Sequence, residues 1–199
     1  MLVAFASWWM KNMTLFEYMS VAMSLILALT FAEGLRGLHC ALQADRRYGV
    51  HAAWLFLKLS NPIVYWWSTW GLRDIQEYWN FATYSISLIM PSIMYLQVLS
   101  LVSHAPHKIS DWREHFFKQR RWFFGLNIVL GVFVVLIWSN ALNAAPPRLV
   151  PMLAYTFLTV LSVVGFASDN PKLHAVIVST IGGFTIFYYG VATFRPITF

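Results

Sequence analysis

The chain has 199 residues, of which 59% are hydrophobic and only 11% are charged. A soluble domain carries about 25% charged residues, so this composition excludes an ordinary water-soluble domain and favours a protein surrounded by lipid. The net charge of +6 does not indicate nucleic acid, because the basic residues flank aromatic membrane anchors and do not form a free face.

Six stretches of the sequence are long and apolar enough to cross a bilayer, which takes about 20 residues of helix. They predict an all-α fold, a polytopic transmembrane helical bundle that forms a single membrane domain over residues 1–199. Most of the connections between the stretches are short. The predicted spans are 14–42, 51–72, 76–103, 122–142, 147–167 and 172–194.

The first two spans carry charged residues within apolar sequence. Glu33, Arg36 and His39 recur every three residues and so lie along one side of a helix, and Lys58 has a similar depth in the antiparallel second span. A charge in the bilayer costs at least about 2.5–3.5 kcal/mol, so we expect Glu33 to pair with Arg36, with Lys58 or with both. This intramembrane polar group either lines an ion or proton path or forms a structural ion pair whose cations extend to the interface.

Small side chains recur every fourth residue in the first and last spans. Such stripes let two helix backbones approach closely, so they predict a tightly packed partner for each helix, within the subunit or in another. The helix-packing residues are Ser20, Ser24, Ala28 and Ala32 in the first span, and Ala175, Ser179 and Gly183 in the last.

The third predicted span contains Pro91, which removes one backbone hydrogen bond, so we expect a kink beside Ser87. The kink either turns carbonyl groups towards a cavity or is a routine bend, since proline is common in membrane helices. Isolated amides also occur within the apolar spans, among them Gln97 and Asn127.

Between the third and fourth spans, residues 104–121 predict an interfacial amphipathic helix, with Ser110 as its N-cap. Its apolar stripe, which recurs at three- and four-residue steps, consists of Ile109, Trp112, Phe116, Phe117 and Phe123. Cationic and aromatic residues together are typical of an anchor at the level of lipid headgroups. The same residues also fit a docking surface for a soluble partner or a site for acidic lipids. The predicted inner interfacial anchor consists of Trp112, Phe116, Lys118, Arg120, Arg121 and Trp122.

The basic residues divide unequally between the two sides of this topology. Ten of the 14 lie on the side of the 104–121 segment and four on the other, and the positive-inside rule makes the richer side cytoplasmic. Both termini are then predicted to be periplasmic. The expected partners are the lipid bilayer, acidic lipids at the inner face, and either further copies in a homo-oligomer or the subunits of a membrane complex. Nucleic acid is not expected.

All six histidines fall on the predicted cytoplasmic side. The pair His104 and His107 has a metal-like spacing, but Pro106 interrupts any helical register and no cysteine or carboxylate pattern completes the site. We therefore predict no metal site, no catalytic residue and no resident cofactor, and an enzyme is not expected. Haem held by two histidines is kept as an alternative, for which the candidates are His39, His51 and His174.

Three segments, "LFEYMSVAMSLILALTFAEGLRGLH", "YWWSTWGLRD" and "HFFKQRRWFFG", resemble those of a family of small multi-pass bacterial inner-membrane proteins. The shared features are a FEY start, a WWxxWGLRD-like turn and an RRWFF motif that begins the next helix. The resemblance covers most of the chain and implies a location in the bacterial inner membrane. It implies no activity and assigns no site residue.

Three functions remain open on the sequence. The first is a channel-like or transporter-like pathway for a small solute or ion, motivated by Glu33, Arg36 and Lys58 and by the expected kink. The second is a non-catalytic accessory subunit of a larger membrane complex, favoured by the stripes of small residues and the aromatic content. The third is a haem or quinone redox protein of the inner face.

Overall fold

The computed structural model describes residues 14–69, 80–103, 109–138 and 149–194, and these residues form six α-helices with no strand among them. After α4 the chain continues directly into a π-helical segment, Phe133–Trp138. The all-helical class predicted from the sequence is therefore confirmed for the described residues. The helices are α1 (Leu15–Gln43), α2 (Gly49–Ser68), α3 (Phe81–Leu101), α4 (Trp112–Val132), α5 (Leu149–Ala167) and α6 (Pro171–Phe194).

Capping boxes begin two of the helices. At the start of α1, the Thr14 hydroxyl accepts from the Glu17 amide at 3.2 Å, and the Glu17 carboxylate accepts from the Thr14 amide at 2.7 Å. Asn80 and Thr83 make the same reciprocal pair at the start of α3. Each box satisfies amide groups that have no partner within the helix, and so fixes where the helix begins.

The amphipathic helix predicted for the membrane surface is not a separate element in the part of the chain that the structure describes. A single helix, α4, contains both the predicted anchor and the beginning of the predicted fourth span. Asp111, and not Ser110, is its N-cap, because the Asp111 carboxylate accepts from the Arg113 amide at 2.8 Å. The fourth helix thus begins ten residues earlier than predicted.

The packing of the beginning of α4 differs from that of the predicted surface helix. The apolar stripe that predicted contact with lipid is instead buried inside the protein, where it contacts aromatic side chains of the other helices. Trp112, Phe116 and Phe123 of the stripe are buried, and Ile109 and Phe117 are partly buried.

Three of the described helices are long and apolar enough to cross a membrane: α1, α3 and the segment Trp112–Leu136, which comprises α4 and its extension. Shorter apolar stretches follow in α5 and α6, at Met152–Ala167 and Pro171–Phe187. The second helix covers Gly49–Ser68, where 51–72 was predicted. Both Pro62 in α2 and Pro91 in α3 lie inside helices that continue on either side of them.

Helix α1 packs closely against α2 and α3, and α4 packs against α3 and α5. Neighbouring helices approach α1 closely at two glycines. A methyl group at Gly34 would overlap Leu59 of α2, and one at Gly37 would overlap Val102 at the end of α3. The absence of a side chain at these positions therefore lets the neighbouring helices sit directly on the α1 backbone.

Four of the seven residues in the predicted stripes of small residues are exposed, and none is buried. Ala28 and Ala32 of α1 are exposed, as are Ser179 and Gly183 of α6, and a methyl group at Gly183 would meet nothing within 4 Å. Ser20, Ser24 and Ala175 are partly buried. Within this chain, α1 packs closely against its neighbours at Gly34 and Gly37, which lie on a different side of the helix from Ala28 and Ala32. A partner for the stripes in another subunit stays a prediction.

Candidate functional site

Lys58 is the centre of the candidate site. It lies midway along α2 and is only 7% exposed. Its ammonium nitrogen Nζ donates to Gln97 Oε1 at 2.9 Å and to Asn127 Oδ1 at 2.7 Å. Because Gln97 belongs to α3 and Asn127 to α4, one lysine joins three helices.

The orientation of both amides is set by the backbone of α4. The Asn127 Nδ2 group donates to the Phe123 carbonyl at 2.8 Å, and Gln97 Nε2 donates to the Leu126 carbonyl at 3.4 Å. A backbone carbonyl can only accept, so in each side chain the amide nitrogen faces α4 and the oxygen faces Lys58. The two acceptors are therefore held in place before the lysine binds them.

The surroundings of Lys58 are electron-rich but carry no formal negative charge. The Nζ atom lies 5.4 Å from the centre of the Phe123 ring, within the range of a cation–π interaction. Among the described residues, no carboxylate is within ion-pair distance of Lys58. Amide dipoles and one aromatic ring thus supply all the stabilisation that the structure gives to a charge here.

The number of hydrogen bonds matters for the chemistry of this lysine. An ammonium group has three N–H donors, whereas a neutral amine has two and a lone pair that accepts. The two amide oxygens accept hydrogen bonds from both N–H groups of the neutral amine. In the ammonium form, one of the three N–H groups has no amide oxygen as a partner. Lys58 can therefore gain or lose a proton without any change in the positions of Gln97 and Asn127.

The intramembrane group predicted from the sequence separates into two parts. Arg36 pairs with Glu33, with its Nη2 and Nε atoms 2.5 and 2.9 Å from Glu33 Oε2, and both side chains are partly exposed. Lys58 does not join this pair, and His39 is exposed on α1. A similar depth in two antiparallel helices does not determine which way the side chains face, and Lys58 faces α3 and α4.

The residues of the predicted anchor also lie in two different environments. Trp112, Phe116 and Arg120 are buried, whereas Lys118, Arg121 and Trp122 are exposed. Arg120 forms an ion pair with Asp169 in the connection between α5 and α6, and its guanidinium lies 6.0 Å from the Phe117 ring. The Arg120 side chain therefore holds this connection against α4.

The histidines considered for haem do not offer a suitable pair. His51 and His174 are both fully buried, and each contacts the Phe116 ring edge-on, with centroids 6.1 and 5.3 Å apart. A haem between these two imidazoles would have to displace Phe116, which is itself fully buried. The third candidate, His39, is exposed. These residues therefore do not fit the haem alternative.

Within the described ranges, no three histidine, cysteine or acidic residues are grouped so that they could hold a metal ion. The spaced pair His104 and His107 lies outside the described residues. Gln97 and Asn127 are the site residues whose role the sequence did not assign. The signal that could have singled them out is an isolated amide within an apolar span, because such a group needs a partner from another helix.

No family model matches this sequence, and neither a curated protein nor a solved structure is significantly similar to it. The resemblance to small bacterial inner-membrane proteins therefore rests on the quoted sequence segments alone.

Proposed function

We propose that this protein is a multi-pass membrane protein that provides a gated pathway for an ion, and that the ion is a proton carried by Lys58. The observation behind the proposal is a deeply buried lysine that has no carboxylate partner in the part of the chain that the structure describes. Apolar residues of similar volume would stabilise a helix contact at least as well as a buried charge does. An ionisable group inside a membrane bundle therefore favours a functional role.

The surroundings of Lys58 favour a proton over other ions. The Gln97 and Asn127 oxygens and the Phe123 ring all direct negative charge towards Nζ, so an anion would be repelled from this position. A metal cation would be repelled by the ammonium itself. A proton is the one cation that the site can take up by changing the charge of its own side chain.

Two features support a pathway that is closed in this conformation. Trp54 and Phe123 pack against each other beside Lys58, with ring centroids 5.0 Å apart, and both are buried. Pro62 lies four residues after Lys58, so the Lys58 carbonyl lacks its usual donor within α2. A helix with a missing hydrogen bond at this level bends more easily, and such a bend would give the lysine access to either side.

Purified protein in liposomes that contain the pH-sensitive dye pyranine would test the proposal. A potassium gradient with valinomycin sets the voltage that drives protons inwards. We expect acidification faster than in empty liposomes. In parallel liposomes with a chloride-sensitive dye, chloride entry should equal that of empty vesicles. Proton entry no faster than in empty liposomes would refute the proposal, and chloride entry above that level would refute the choice of ion.

We further propose the location and contacts that the sequence predicts. These are the bacterial inner membrane, periplasmic termini, a cytoplasmic 104–121 segment and contact with acidic lipids at the inner face. Exposed Lys118, Arg121 and Trp122 at the beginning of α4 support that contact, because cations beside an aromatic ring are typical of headgroup level. Labelling of cysteines placed in the 104–121 segment from the outside of intact cells would contradict this orientation.

A second candidate is an accessory subunit of a larger membrane complex, or a homo-oligomer. It is favoured by the small residues of α6, because Ser179 is exposed and a methyl group at Gly183 would meet nothing within 4 Å. A small outward face suits close contact with another helix in lipid. Native mass spectrometry after mild extraction would test it: bound foreign subunits support a complex, further copies support a homo-oligomer, and a monomer contradicts both.

A further inference from the structure

A cavity of about 330 Å³ lies between the end of α3 and the beginning of α4. It is separate from the Lys58 site, and its lining combines polar and apolar side chains. Its volume is at the lower end of the ~300–1,000 Å³ range of small-molecule sites, which suits a headgroup better than a whole lipid. The lining residues that matter here are Leu96, Leu99, Ser103, His115, Gln119 and Trp122.

Among the described residues, the lining contains hydrogen-bonding groups but no lysine, arginine or carboxylate. Arg36 reaches the edge of the cavity, where its Nη1 atom donates to the carbonyl of the lining residue Ser103 at 3.5 Å, but its charge is balanced by the ion pair with Glu33. A phosphate or carboxylate headgroup would need a cation of its own in the wall. The cavity therefore suits a headgroup that is polar and uncharged.

Both kinds of hydrogen bond are available to such a headgroup. His115 Nε2 lies 3.1 Å from the Leu101 carbonyl, and because a carbonyl only accepts, Nε2 carries the hydrogen. In the neutral imidazole, Nδ1 is then the acceptor. The Gln119 amide, which forms no hydrogen bond with any described residue, has an acceptor and two donors. The wall can thus donate to a carbonyl and accept from a hydroxyl.

Apolar surface leads away from the cavity along the seam between α3 and α4. On α3, Leu96 is 41% exposed and Ile89 is also exposed two turns earlier; on α4, Trp122 is 60% exposed and Val129 follows two turns later. Because α3 and α4 are antiparallel neighbours, these two strips run side by side on the outer surface, from the cavity towards the midpoints of the two helices. A long apolar tail would lie along them.

We propose that this cavity binds the headgroup of a membrane quinone. The Gln119 amide donates to a carbonyl of the quinone ring, and His115 Nδ1 accepts from a hydroxyl of the reduced form. The isoprenoid tail lies along the strip of Leu96, Ile89, Trp122 and Val129. An uncharged ring with paired oxygens and a long apolar tail matches both the wall and the outer strip. The proposal concerns binding and does not depend on proton conduction through Lys58.

Isothermal titration calorimetry of the full-length protein in detergent, with decylubiquinone as the probe, tests this site. We expect saturable binding with one quinone per chain. The Gln119→Leu variant keeps the volume of the side chain but removes its hydrogen bonds, so it should bind about tenfold more weakly. Gln43→Leu makes the same change at the exposed end of α1 and should bind like the unchanged protein. A second variant, Leu99→Trp, should fill the cavity and abolish binding.

Three results would overturn the proposal. The first is heat of dilution only, with no saturable binding by the unchanged protein. The second is undiminished affinity in both Gln119→Leu and Leu99→Trp, with melting curves that show each variant to be folded. The third is displacement of decylubiquinone by short-chain phosphatidylglycerol at equal concentration, which would identify the site as one for acidic lipid. Proton entry into liposomes is measured separately, so either proposal can fail without the other.

Discussion

The Tyr65 hydroxyl donates a hydrogen bond to the Ser87 backbone carbonyl at 3.0 Å. This carbonyl lies four residues before Pro91, which has no N–H with which to continue the helix ladder. A side chain of α2 therefore satisfies the acceptor that a proline leaves open in α3. Both residues are buried, so the hydrogen bond has no competition from water. The carbonyl group that Pro91 was expected to leave open towards a cavity is thus hydrogen-bonded within the bundle.

Replacing Tyr65 tests this relationship. Tyr65→Phe should lower the free energy of unfolding by about 1–3 kcal/mol, because the Ser87 carbonyl stays buried without a partner. In a Pro91→Ala background the backbone supplies an N–H to the same carbonyl, so Tyr65→Phe should cost much less there. Reversible unfolding in mixed micelles measures all four proteins, and an equal loss in the two backgrounds would contradict the interpretation.

Lys58 and Asn127 should be strongly coupled in stability. Lys58→Met leaves the Asn127 oxygen unpaired, and Asn127→Leu removes one acceptor from the ammonium, so each should cost about 1–3 kcal/mol. The double variant removes both groups, and its loss should be smaller than the sum of the two single losses. Lys58→Met with Thr156→Val, an exposed hydroxyl of α5, is the control pair and should be additive. Additivity for Lys58 and Asn127 would show that the hydrogen bond contributes little.

The two classes of small residue should respond differently to an added methyl group. Gly37→Ala should destabilise the protein by about 1–3 kcal/mol, because the methyl overlaps Val102. Gly183→Ala meets open space and should leave stability unchanged or raise it by up to about 1 kcal/mol through helix propensity. Melting temperatures in the same detergent provide the comparison. Similar losses at both positions would mean that α6 is packed more tightly than the structure has it.

The ion pair between Arg120 and Asp169 should hold the connection between α5 and α6. Arg120 is only 3% exposed, so Asp169→Asn leaves a buried guanidinium without its countercharge and should cost about 1–3 kcal/mol. Asp45→Asn, in the connection between α1 and α2, is the matched control and should have little effect. Hydrogen exchange at residues 166–172 should speed up in Asp169→Asn alone. Unchanged protection there would contradict this role.

Local relationships were accessible from the sequence, whereas partners from distant helices were not. The pairing of Glu33 with Arg36 follows from a spacing of three residues on one helix, and the structure contains it. The partners of Lys58 lie 39 and 69 residues away, and nothing in its own helix determines which neighbours it faces. The predicted pairing of Lys58 with Glu33 therefore rested only on their similar depth in two antiparallel helices.

The apolar stripe at the beginning of α4 shows a second reason why contacts between helices could not be predicted from the sequence. Periodicity predicts that Trp112 and Phe116 share one face of a helix, but lipid is as apolar as a protein interior. The pattern cannot distinguish a face that contacts lipid from one that contacts other helices. Here the aromatic neighbours come from α2 and α6, through His51 and His174, and they bury the stripe.

The most direct test of the central claim compares proton entry into pyranine-loaded liposomes for two lysine variants. Lys58→Met removes the protonatable group and keeps most of the length of the side chain, whereas Lys172→Met makes the same change on the exposed surface of α6. We expect the Lys58→Met rate to fall to that of empty liposomes and the Lys172→Met rate to equal that of the unchanged protein. Proton entry that persists in folded Lys58→Met protein would contradict the assignment of Lys58 as the proton carrier.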